Sequence, residues 1–160
     1  MSVRRDSYVW IGVALTGAAI GVVIVMLIID MMRPRLTLHL GDGIFVARVV
    51  KTEAERTKGL AGAEELPRDQ AMFFTFAQDD LHGVWMKGMY IPIDIVWLDK
   101  DKKVVHMVRY VTPDTFPTVY KPKTLARYVV ELAAGTIDER AIKIGAVARF
   151  DERRAEEGVE

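Results

Sequence analysis

The chain has 160 residues, 22 Lys and Arg against 22 Asp and Glu, three His, no Cys and an apolar fraction of 51%, the length of a single domain. Without cysteine there is no disulfide framework, thiolate nucleophile, Cys-ligated zinc or iron–sulfur centre. Balanced charge with no Lys/Arg-rich run offers no surface for neutralising phosphates, so no nucleic-acid partner is expected.

The apolar excess lies at the N-terminus. After a tail at 1–6, residues 7–29 run for 23 positions without a charge, which as a helix rises about 34 Å and is long enough to cross a bilayer core. Such a helix satisfies its backbone polar groups internally. The segment 7–30 is therefore expected to be a transmembrane helix with the lipid bilayer as its partner. Tyr8 and Trp10 stand at one edge, and Arg33 and Arg35 follow the other, as at membrane interfaces. A cleaved signal peptide would have a shorter apolar core of roughly 7–15 residues. Here the small residues Thr16, Gly17, Ala18 and Ala19 lie in mid-run. The charge bias between the flanks is slight and points to a domain on the extracytoplasmic side, with the cytoplasmic face as the alternative. Gly17 and Gly21 form a GxxxG pair, a candidate homodimer contact.

A linker at 31–35 contains Pro34, which cannot continue a helix. The domain proper is expected at 36–150. Residues 36–40 alternate apolar and polar, Gly41-Asp42-Gly43 supplies a turn, and 44–50 are β-branched and apolar, which predicts a hairpin. Thr52-Glu53-Ala54-Glu55 matches a capping box and predicts a short helix to about Lys58, stopped by Gly59. Strand-length apolar runs follow at 71–76, 82–87 and 93–98. A polar turn at 99–102 predicts that 103–110 pairs back on 93–98. Prolines at 113, 117 and 122 exclude a central strand and predict a long surface loop. Its Phe116 and Tyr120 are candidates for partner binding. A strand at 125–132, a second capping-box match at 136–139 and a last strand at 145–150 complete the domain. The tail 151–160, rich in acids, reads as a solvated end. The fold class expected is α+β, mainly β: a compact barrel-like antiparallel sheet with two short helices.

No G-x-S-x-G, H-E-x-x-H, Walker lysine motif or G-x-G-x-x-G occurs, so no catalytic residue can be assigned. The three histidines are never paired at ligand spacing, and neither metal nor cofactor is expected. The outliers are charges within apolar runs: Lys87 after Val84-Trp85-Met86, Asp94 within 91–96 and Glu131 within 128–132. One reading is a Lys and two carboxylates lining a cleft and capable of acid/base chemistry. The other, which the pattern favours, is a buried ion-pair network or caps on nearby turns. Phe73, Phe74, Phe76, Trp85, Tyr90 and Trp97 could stack on a planar ligand, although strand spacing favours the core.

Several blocks carry a resemblance: Arg56-Thr57-Lys58-Gly59-Leu60, Ala71-Met72-Phe73-Phe74, Trp85-Met86-Lys87-Gly88-Met89 with Ile91-Pro92-Ile93-Asp94-Ile95, and Tyr128-Val129-Val130-Glu131-Leu132-Ala133-Ala134-Gly135. Together, in this order, they resemble the domain of unknown function 192 family over about 38–150. The resemblance implies a compact, mainly β fold in a prokaryotic protein that often follows a signal peptide or anchor, and no established activity. The chain departs from the family pattern in having Gly88 and Met89 in place of Asn-Thr, and Ala61 in place of the Met of Gly-Leu-Met. Lys87, Asp94 and Glu131 keep the family positions.

The expectation is a single-pass anchored, non-catalytic module at the cell envelope. It would bind a small molecule or an envelope protein through Trp85, Lys87, Asp94 and Glu131. The alternative is an anchored hydrolase-like enzyme in which Asp94 and Glu131 act as acid and base beside Lys87.

Overall fold

The computed structural model describes residues 20–22, 24–25 and 34–159. The chain divides into two compact units, 1–33 and 34–160. The few described residues of the first unit are helical and exposed. The rest of the expected 7–30 span lies outside the described residues, as does Gly17. Gly21 is described and has open space where a side chain would stand. Among the described residues no helix is long and apolar enough to cross a membrane.

The second unit contains β1 (Arg35–Leu40), β2 (Gly43–Val50), α1 (Glu53–Lys58), β3 (Gln70–Asp80), β4 (Val84–Trp85), β5 (Ile93–Leu98), β6 (Val104–Val111), β7 (Val119–Tyr120), β8 (Ala126–Ala133), α2 (Thr136–Glu139) and α3 (Glu152–Glu156). The hairpins expected at β1–β2 and β5–β6 are both present. The capping box also forms: Glu55 N donates to Thr52 Oγ1 and Thr52 N to Glu55 Oε2, each at 3.3 Å.

The sheet is not an antiparallel barrel. Its six strands lie in the order β1-β2-β3-β8-β5-β6, and β2 runs parallel to β3, with Val46 opposite Gln70 and Val50 opposite Phe74. The connection through α1 carries the chain back far enough for a parallel crossover, which a tight turn cannot do. Residues 145–150 do not form a closing strand. They make isolated bridges, Arg149 to His39 of β1 and Val147 to Lys103 beside β6, so irregular chain covers the sheet edges without a continuous ladder. The run at 82–87 shortens to β4, which pairs with β7 from within the proline-rich loop, Trp85 opposite Val119.

Among the described residues of the second unit there are three short α-helices and a 3-10 turn at Pro113–Thr115, rather than two helices. The third lies in the tail expected to be solvated. Asp151 caps it, accepting from Arg153 N at 3.1 Å, and Ala155 is fully buried. A composition dominated by charge hid this single anchoring methyl.

Strands β3, β5 and β8 are covered on both faces and so read as nearly continuous apolar runs. Register decides which side each residue takes. Met72 and Ile95 both stand opposite Glu131, while Asp94 stands opposite Leu132, so Glu131 and Asp94 point to opposite faces. The first face buries Phe73, Val96 and Leu132 against Ile137, Ile142 and Ala155. The second buries Phe74, Ile95, Trp97 and Val129 against Leu60, Met86 and Met89.

Candidate functional site

A cleft of about 200 Å³ opens on the second face. The last turn of α1 with Gly59 and Leu60 forms one wall, Trp85, Lys87 and Met89 the other, and Phe74, Val129 and Glu131 the floor. Gly59 ends α1 at φ 48°, a left-handed conformation that glycine adopts without strain. A β-carbon there would sit 4.0 Å from Glu131 Oε2 and 3.7 Å from the Phe74 ring. The missing side chain thus keeps the floor accessible.

The walls are stitched together. Gly62 N donates to Gly88 O at 2.9 Å. Gly88 has φ 70°, and a β-carbon on it would lie 3.3 Å from that of Ala61. Two of the departures from the family pattern therefore adjoin, small residue against small residue. The family's Asn at this point is the other residue type that tolerates a left-handed backbone.

Arg56 is tied to structure. Its Nη1 donates to Lys51 O and, at 3.3 Å, to Thr75 O, and its guanidinium lies 5.1 Å from the Phe76 ring centroid. Phe76 also stacks with His82, the ring centroids 3.5 Å apart. His82 Nε2 bonds Gln78 O at 3.0 Å, and Trp97 Nε1 donates to His82 O at 2.8 Å. Burial is the main cause holding the His82 pKa below the usual imidazole value. His82 thus backs Phe76, which lines the cleft.

Glu131 is only 5% exposed, and its Oε2 has no hydrogen-bond partner. Burial pushes its pKa up to about 8, with the charge of Arg48 pulling the other way. At neutral pH the carboxyl therefore largely keeps its proton, and can both donate and accept a hydrogen bond. Lys58 and Lys87 line the cleft as exposed residues. Trp85, 45% exposed, presents its ring beside them.

The three outlying charges do not meet. Asp94 is fully buried on the first face. Its Oδ1 accepts from Tyr110 N at 2.9 Å and its Oδ2 from Ile137 N at 2.8 Å. It is the cap of α2, whose N-terminal residue Gly135 has no side chain to offer. Both Asp94 oxygens are thus engaged on the face opposite the cleft, and the structure does not bring Asp94 together with Glu131. Lys87 is not a buried ion, so the three charges form no buried network either. Trp85, Lys87 and Glu131 do share the cleft.

Of the candidate stacking aromatics, Phe74, Phe76 and Trp85 line the cleft. Phe73 and Trp97 are core, and Tyr90 is exposed outside it. Sequence reasoning read 52–59 as a short capped helix and its stop, and missed Lys58 and Gly59 as cleft residues. The signal was present in Gly59, whose stop turns the chain down onto the sheet. Among the described residues no cluster of three or more His, Asp or Glu could hold a metal ion.

A mixed, open sheet buried on both faces, with a cleft over one buried carboxyl on the second face, defines an α+β domain. Across residues 37–150 the chain matches the DUF192 family, described as "Uncharacterized ACR", and it belongs to that family. Two solved structures share the fold. One is a protein of unknown function from Novosphingobium aromaticivorans, 25% identical, covering 72% of this chain and 83% of its own, with a TM-score of 0.67. The other is described as a candidate transcription regulator from Sinorhizobium meliloti, 22% identical, covering 72% of this chain and 92% of its own, also with a TM-score of 0.67. At that identity the likeness concerns the fold alone. A search of curated proteins found no match.

Proposed function

We propose that this protein is a single-pass membrane-anchored, non-catalytic ligand-binding module at the cell envelope, and that its site is the cleft above Glu131. One observation carries the binding reading: a carboxyl group buried at the floor of an open apolar cleft with an oxygen that no protein group satisfies. Burying a polar group without a partner opposes folding, so its place in a cleft is best explained by a partner from outside. Non-catalytic binding is favoured because the second carboxylate that acid–base chemistry would need is engaged as a helix cap on the other face. The anchor rests on the uncharged run at 7–29, and the GxxxG pair in it is a candidate homodimer contact in the bilayer.

Thermal unfolding of the full chain in detergent micelles, wild type against Glu131→Leu, tests the site. A retained binding group predicts a variant at least as stable as wild type. A structural group would cost about 3–5 kcal/mol on loss of its charge partner. The anchor is checked by alkaline carbonate extraction of membranes, where the protein should stay in the pellet. Its orientation is checked by protease digestion of intact spheroplasts, which should remove the domain.

A further inference from the structure

The occupant of the cleft can be narrowed by its size and charge. An apolar cavity of about 150 Å³ holds a benzene ring, and this cleft of about 200 Å³ has room for one ring with one small polar group. The ring surfaces are Phe74, Phe76 and Trp85. Three of the lining residues are cationic, Arg56, Lys58 and Lys87, and Glu131 is the sole acid among them.

We propose that the cleft binds a single-ring organic anion, its ring against Trp85 and Phe74 and its anionic group accepting a hydrogen bond from the Glu131 carboxyl while pairing with the ammonium groups of Lys58 and Lys87. The inference rests on the binding-module reading above. Lys58 precedes Gly59, whose β-carbon position lies 4.0 Å from Glu131 Oε2, and both Lys58 and Glu131 line the cleft. Lys87 faces them from the other wall. An organic cation would meet three positive residues and a carboxyl disposed to stay neutral.

The charged groups around Glu131 are Arg48 from β2, Arg56 and Lys58 from α1, and Lys87 from the turn after β4. The neighbouring strands β3 and β5 bring Met72, Phe74, Phe76, Ile93, Ile95 and Trp97 to this face, none of them charged. The protonated carboxyl donates to the anion. Once ionised, above about pH 8, it repels it. Affinity therefore falls with rising pH, approaching tenfold per unit above that point.

The test is NMR titration of the full chain in detergent with three probes of one shape: benzoate, benzyl alcohol and benzylamine. Benzoate should shift the Trp85 and Val129 resonances and bind at least tenfold more tightly than the alcohol or the amine. Its affinity should drop between pH 7 and 9. Glu131→Gln, which keeps a donor and cannot ionise, should bind benzoate with that pH dependence flattened. Lys87→Gln, at an exposed position that does not threaten folding, should weaken benzoate several-fold and leave benzyl alcohol unchanged. Equal or tighter binding of the alcohol or the amine would overturn the anion proposal while leaving the cleft a binding site. No shift at cleft residues with any probe would overturn both.

Discussion

Asp94 and Glu131 lie on adjacent strands one residue out of register, with β5 and β8 pairing Ile95 with Glu131 and Asp94 with Leu132. Both are buried carboxyls in apolar strands, yet their surroundings differ. Around Asp94 the first face supplies two backbone amides, one for each oxygen, and the group holds α2 and the end of β6 in place. Around Glu131 the second face supplies apolar side chains, the charge of Arg48 and a cleft. A buried acid that is fully bonded builds structure, whereas one left partly unbonded beside a cleft is available to something else. The contrast separates a carboxyl that the fold itself satisfies from one that it leaves partly unbonded beside a cleft.

The hardest break is Asp94→Ala. It orphans two amides, each worth roughly 1–3 kcal/mol, so urea denaturation at neutral pH should record a loss of roughly 2–6 kcal/mol. A loss under about 1 kcal/mol would erase the distinction between the two acids. Next in size is the pH dependence set by Glu131. Its carboxyl titrates near the usual 4.5 in the unfolded chain and near 8 when folded, so between those values the folded state holds a proton that the unfolded state has released. Stability is then fully present below about pH 4.5 and declines as pH rises to about 8, by on the order of 4 kcal/mol. Denaturation midpoints of wild type and Glu131→Gln across this window should diverge, with the Gln variant the more stable above pH 8.

Two smaller effects sharpen the picture of the cleft walls. Gly88→Ala places a side chain at φ 70° and 3.3 Å from Ala61. It should cost about 1–2 kcal/mol in a thermal melt, with Gly88→Asn closer to wild type. Thr52→Ala removes the cap of α1 and should cost about 1 kcal/mol. An unchanged melting temperature there would mean that the wall of the cleft is held by packing alone.

Local chemistry was legible in the sequence and register was not. The Thr52–Glu55 box and the hairpin turns at 41–43 and 99–102 are decided by residues a few positions apart, and each stands where the sequence placed it. The parallel pairing of β2 with β3 and the open edge near 145–150 depend on long connections whose path leaves no short motif. The relation between Asp94 and Glu131 was hidden for a related reason. Strands covered on both faces lose the alternation that labels a side, and a slip of one residue exchanges the faces. The sequence could thus mark both acids as anomalous without separating cap from cleft. The family resemblance is borne out by the match over 37–150. Only the fold brings Lys58 and Gly59 to Glu131.

The central claim is that Glu131 keeps a protonated, unsatisfied carboxyl for a ligand. The direct measurement is a carbon-13 NMR titration of the Glu131 side-chain carboxyl in the full chain, repeated with benzoate. A midpoint near 8, moving higher when benzoate is present, is the result expected. A midpoint near the ordinary 4.5, unmoved by benzoate, would contradict it and make Glu131 one more satisfied group in the core.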